Sequence, residues 1–287
     1  LIADYSLTSQ PIELWTYSYP HDRSIVENSN ELAELLEANL AGIDRIVLIG
    51  HSLGGLLAQE AVHSGFNFVN HTEAIILLGT PNLGVDLTGS NDLLTVIANS
   101  PFAGALNLDS QSVKDLSSYV SKPRVDGVDY YAIVGTLPIE VSLGLVKTTT
   151  SELLGLRGLN DGIVTANSAK NIGGSDNELC DDYFKVGVDH SQLNNDVTSR
   201  SLVRSIISEK LGIGSDYRYV EVELPGCYTG ATYVITGVEV DDSSGVDRYC
   251  ESLDPIDVGI KTSRTIFWIF IILSTVLFIG YTIKEGR

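Results

Sequence analysis

Apolar and polar positions follow two different periods along the chain, and each change of period marks out an element. Ile12 to Tyr19 reads as a strand. Residues 29 to 41 put Leu32, Leu35, Leu36 and Leu40 on one helical face, with Asn28 and Glu31 at capping-box spacing. Ile46 to Ile49 is a solid apolar run, as expected of a strand covered on both faces, and a helix-like stretch from Leu53 to Val62 follows it. Ala74 to Leu78, Tyr130 to Val134 and Tyr183 to Val188 are further buried-strand candidates. Residues 195 to 211 close the series as a helix carrying Val203, Ile206, Ile207 and Leu211. Strands alternating with helices predict an α/β fold with a mainly parallel sheet over residues 1–214.

The texture then changes. Val220, Val222 and Leu224 alternate with Tyr219, Glu221 and Glu223, Pro225-Gly226 turns the chain, and Ala231 to Val240 is again β-rich. Residues 215–262 are therefore expected to form a small β module or stalk. From Thr265 to Ile283 the chain runs 19 residues without a charge. As a helix this stretch covers close to the ~30 Å hydrocarbon core of a bilayer. Trp268 and Tyr281 stand near its ends, where amphipathic rings favour the interface. A single transmembrane helix over 263–284 with a short tail over 285–287 is expected.

Composition narrows the function. Of 287 residues 44% are hydrophobic and 19% charged, which excludes intrinsic disorder. With 37 acidic against 18 basic residues the net charge is −19. Nucleic acid, which needs a basic footprint, is excluded as a partner. Anionic lipid head groups would be repelled, so contact with a membrane must be hydrophobic. Three cysteines without C-x-x-C spacing give no metal site, although Cys227 and Cys250 are close enough in sequence to form one bridge. Lys261 and Arg264 balance Lys284 and Arg287 across the apolar run, so basic residues do not orient it. The Asn70-His71-Thr72 sequon and the Cys227–Cys250 pair lean towards an extracytoplasmic body. Oligomeric state is not legible.

The chemistry starts at Gly50-His51-Ser52-Leu53-Gly54, a G-x-S-x-G sequence set between a buried strand and a helix. Such a turn holds the serine in a strained conformation with its hydroxyl above the sheet. Gly50 and Gly54 are expected where strand and helix pass too close for a Cβ. The Leu53 N–H, at the positive end of the helix, would face a developing oxyanion. A serine needs a base, and the base an orienting acid. After this motif the partners follow in the order serine, acid, histidine. Only His190 lies late in the chain, directly after the strand ending at Val188; His51 adjoins the serine and is aimed elsewhere. Asp161, in Asn160-Asp161-Gly162, sits between the last two strand candidates and is the expected acid. Its rival Asp189 is awkwardly adjacent to the base, and Asp181 and Asp182 precede the strand at its wrong end.

Taken together, GHSLGG, LLGTPNLG (77 to 84), NDGIV (160 to 164) and DHSQL (189 to 193) resemble the lipase and esterase branch of the α/β-hydrolase superfamily. The likeness is to triacylglycerol-lipase-like and GPI-inositol-deacylase-like groups, and it covers about residues 12 to 212. It implies Ser52 as nucleophile, Asp161 as acid, His190 as base, and Thr80-Pro81 at the border of the site. One departure matters. Relatives carry a His-Gly segment after an earlier strand, which supplies the second oxyanion donor. This chain contains no Met, opens at Leu1 and enters just before the strand at Ile12. An N-terminally incomplete domain with impaired activity is the resulting expectation.

Residues 82–124 carry an apolar insertion in which Leu93, Ile97 and Phe102 are candidate substrate contacts, and Pro138 to Leu156 is a second apolar stretch. Both are expected to lie over an acyl pocket. The sequence therefore points to a membrane-held serine hydrolase of carboxylic, lipid-like esters, with no metal or cofactor. Alternatives are an acyltransferase or thioesterase using the same triad, and a non-catalytic membrane-held binding module.

Overall fold

The computed structural model describes residues 12–20, 22–85, 111–143, 146–173, 182–212, 219–223, 232–236 and 275–281. Leu93, Ile97, Phe102, Cys227 and Cys250 lie outside these residues.

Five strands run in one direction: β1 (Ile12–Ser18), β2 (Arg45–His51), β3 (Thr72–Leu78), β4 (Asp129–Gly135) and β7 (Asp182–Val186). The apolar runs become strands because both faces of the sheet are covered. Ile46, Leu48, Ile75, Leu77 and Tyr130 turn to one face, where they meet α1 (Ile25–Ala38), α2 (Leu53–Ala61), α3 (Gln111–Leu116) and α5 (Ala166–Lys170). Val47, Ile49, Ile76, Ile133 and Phe184 turn to the other, against α6 (Val197–Leu211) through Leu202, Val203, Ile206 and Ile207. Alternate residues of one strand thus feed two separate cores, as a sheet buried on both sides requires.

The first helix starts earlier than its apolar face suggests. Ser24 caps it and Glu27 closes the capping box, one turn before the expected Asn28–Glu31 pair. Both pairs have the signature, but Ile25 is already buried and the helix begins with it. Asn28 is instead an interior residue, its side-chain amide donating to the carbonyl of Pro20. The apolar stretch from Pro138 to Leu156 holds a hairpin, β5 (Glu140–Leu143) with β6 (Val146–Thr149), and one turn of helix, α4 (Thr150–Leu153). Beyond α6, β8 (Tyr219–Glu223) and β9 (Thr232–Thr236) pair antiparallel.

The largest departure is at the C-terminal end. Within the stretch expected as a transmembrane helix, Thr275–Tyr281 is a strand, β10, lying between β1 and β2 and antiparallel to both. No helix among the described residues is long and apolar enough to cross a membrane. A charge-free run with Val276, Phe278, Ile279 and Tyr281 suits a strand as well as a lipid-facing helix. In the sheet its backbone gains a ladder on each side, which meets its hydrogen-bonding needs as a helix would.

Candidate active site

The carboxyl ends of β2, β3, β4 and β7 converge, the usual location of sites in parallel sheets. At the end of β2 the chain turns sharply into α2. Ser52 stands in the turn with φ 54° and ψ −127°, the one non-glycine positive φ among the described residues. A serine in that region is strained, and such strain persists only where the surroundings over-determine it. Its N–H donates to the carbonyl of Leu78 (2.9 Å), which fastens the turn to β3. Its hydroxyl makes no capping bond to α2.

The close approach expected of glycines is real, with a shift of one residue. A Cβ on Gly50 would lie 2.4 Å from the Gly55 backbone and 2.6 Å from the Gly54 carbonyl carbon. The second small position required by packing is Gly55, whose Cβ would meet Thr80 Oγ1 at 2.0 Å. Gly54 contributes the backbone that Gly50 faces. Leu53 opens α2, where unpaired N–H groups gather at the positive end of the helix.

Asp161 and His190 are brought together from loops 29 positions apart in sequence. His190 Nδ1 lies 2.7 Å from Asp161 Oδ2, and both side chains are buried, at 0% and 1% exposure. The other carboxylate oxygen accepts from the N–H groups of Ile163 (3.0 Å) and Val164 (2.7 Å). The Asp161 carbonyl accepts from the His190 N–H at 2.9 Å. The acid is thus fixed on both oxygens, with one pointed at the ring. Gly79, directly after β3, and Gly135, ending β4, make room: a Cβ on Gly79 would be 3.1 Å from His190 Nδ1, and one on Gly135 2.7 Å from Asp161 Cβ. Gly162, with φ +94°, has Ile139 and Thr150 against it, so the Asp-Gly pair is set by packing as well as by turn geometry.

His190 Nε2 is buried and has no hydrogen-bond partner among the described residues. The His190 ring thus makes no hydrogen bond to the Ser52 hydroxyl. Asp189 is engaged elsewhere: its carboxylate accepts from Ser191 N–H and hydroxyl and from Gln192 N–H, and burial raises its pKa. Asp182 starts β7 at the opposite end of the sheet. Thr80 and Pro81 are buried directly after Gly79, with the Thr80 hydroxyl against the first turn of α2.

Sequence reasoning placed His51 in the elbow and gave it no further part. In the structure its ring is buried 4.8 Å from the His190 ring, with Nε2 2.9 Å from the His190 carbonyl oxygen. Only its position beside the serine pointed to this.

A mainly parallel sheet with a strained serine between strand and helix, and a buried Asp–His pair beyond later strands, gives an α/β-hydrolase-like fold. The family model described as a PGAP1-like alpha/beta domain matches residues 21–125, which include β2, the elbow and β3 and end before Asp161 and His190. No curated protein matches the sequence. Among solved structures the chain is similar to the mature form of the Bacillus licheniformis lipase BlEst2, at 23% identity and TM-score 0.44, covering 59% of this chain and 68% of that one. It is also similar to the metagenomic carboxyl esterase MGS0156, at 20% identity and TM-score 0.42, covering 62% and 56%. A third is the RedJ thioesterase of the Streptomyces coelicolor prodiginine pathway, at 18% identity and TM-score 0.38, covering 66% and 69%.

Proposed function

We propose that the protein is a serine hydrolase of carboxylic esters in which Ser52, His190 and Asp161 form one catalytic unit. The observation that carries this reading is the buried Asp161–His190 pair with the far ring nitrogen unengaged. An unpaired buried polar atom costs about 1–3 kcal/mol, so it calls for a reason. Accepting the serine proton supplies one. With Asp161 holding the hydrogen on Nδ1, Nε2 is the lone-pair nitrogen and faces the reaction as a base. Ser52 attacks the ester carbonyl, its proton passes to Nε2, and Asp161 stabilises the imidazolium. The Leu53 N–H receives the oxyanion at the start of α2. The imidazolium then protonates the leaving alcohol. Water, deprotonated by the same nitrogen, releases the acid from the acyl-enzyme.

The substrate belonging to this reading is a water-poor, lipid-like ester. Support comes from the apolar insertion carrying Leu93, Ile97 and Phe102 and from the charge-free C-terminal run. In p-nitrophenyl ester hydrolysis by the full-length protein, Ser52→Ala removes activity, and long acyl chains are preferred over acetate. Undiminished hydrolysis by Ser52→Ala would refute the nucleophile, and strict acetate preference the substrate class.

A further inference from the structure

The proton transfers above make no use of His51, yet its ring lies 4.8 Å from the ring of the base. It is the last residue of β2, it is buried, and its Nε2 is 2.9 Å from the backbone oxygen of His190. A carbonyl oxygen only accepts, so Nε2 must carry the hydrogen. Nδ1 is buried as well and has no hydrogen-bond partner among the described residues, which makes it the lone-pair nitrogen of a neutral ring. The titratable groups that act on it are His190, from the loop after β7, and Asp161, from the loop after α4. Burial first, and then the neighbouring His190, push the His51 pKa down to about 3. The ring therefore stays neutral at the pH where a serine esterase works.

His190 is gripped at three points. Asp161 holds its ring Nδ1 and also accepts its backbone N–H; His51 donates to its carbonyl. The third grip differs in kind, because His51 is covalently joined to Ser52. We propose that His51 is a positioning residue that sets the distance between nucleophile and base, tying the His190 backbone to the elbow through one donated hydrogen bond. This rests on the reading of Ser52 and His190 as nucleophile and base. It follows that the end of β2 delivers both the nucleophile and the strut that locates its partner. The position between Gly50 and Ser52 is then constrained by chemistry as well as by packing.

The test compares His51→Phe with His51→Gln in the full-length protein. Phe keeps a flat ring and loses the donor; Gln returns an amide N–H donor at about the reach of Nε2. A misplacement of about 1 Å can cost on the order of 100-fold in rate. His51→Phe is expected to lower kcat by about 10- to 100-fold with KM within about threefold, and His51→Gln to return kcat to within about threefold of the parent. Equal losses in both variants, or no loss in His51→Phe, overturn the proposal. Ser52→Ala is assayed beside them. Persisting hydrolysis there removes the underlying reading, whereas an inactive Ser52→Ala with an undisturbed His51→Phe removes only this one. Because either His51 variant can fail to fold, the unaltered protein provides a second readout. Its ¹⁵N-histidine spectrum should show His51 neutral and protonated on Nε2 between about pH 5 and 8. A ring protonated on Nδ1, or one that titrates in that range, overturns the proposal.

Discussion

At the scale of single residues, Asp161 separates orientation from mere charge. One of its oxygens takes two backbone N–H groups and the other takes the ring of His190. In Asp161→Asn the amide oxygen can keep the bonds from Ile163 and Val164, which turns the NH₂ group towards Nδ1. That nitrogen must then accept, the ring hydrogen moves to Nε2, and the base loses its lone pair. kcat should fall about 10³-fold or more while KM and the unfolding midpoint change little. A loss below about tenfold in steady-state kinetics would show that the carboxylate does not fix the tautomer. Motif, chain order and strand position each restrict the choice enough for the sequence to propose Ser52, Asp161 and His190, and the structure strains the backbone of the first and pairs the other two. The part of His51 could not be proposed that way. It depends on a contact across 139 positions, and nothing local distinguishes a histidine that faces the base from one that faces the core.

Among the elements, the elbow shows how packing constrains the serine. β2 and α2 approach so closely that Gly50 faces backbone atoms of Gly54 and Gly55, and neither partner can turn aside as a side chain would. Gly50→Ala should therefore destabilise the fold by about 3 kcal/mol, at or beyond the upper end of ordinary overpacking. The measurement is the urea midpoint, and a shift equivalent to less than about 0.5 kcal/mol would mean that the strand–helix contact is looser than described. The parallel strands and the last helix were legible because their apolar runs and helical faces are long and answer to burial alone. The start of α1 was not, since two overlapping capping signatures compete and the choice depends on where Ile25 packs. The β5–β6 hairpin was also missed: Val141, Leu143 and Val146 around Gly144 read equally well as loop apolar residues over a pocket.

For the whole molecule, the charge-free C-terminal run has two competing resting places. The structure puts Thr275–Tyr281 in the sheet between β1 and β2, where charge-free length pointed to a bilayer helix; an uncharged run satisfies its backbone in either. We propose that in the presence of lipid the run leaves the sheet and anchors the body to a membrane, on its extracytoplasmic side. The full chain should then resist extraction by alkaline carbonate, while a chain ending at residue 262 should be released. Recovery of the full chain in the soluble fraction would leave β10 as the resting place of this segment. The account as a whole turns on Ser52 and His190 working together across the sheet. The most direct measurement is peptide mapping by mass spectrometry after treatment with a fluorophosphonate probe. The expected result is an adduct on Ser52 in the unaltered protein and none in His190→Gln. An adduct on another residue, or labelling of Ser52 that survives the loss of His190, would contradict it.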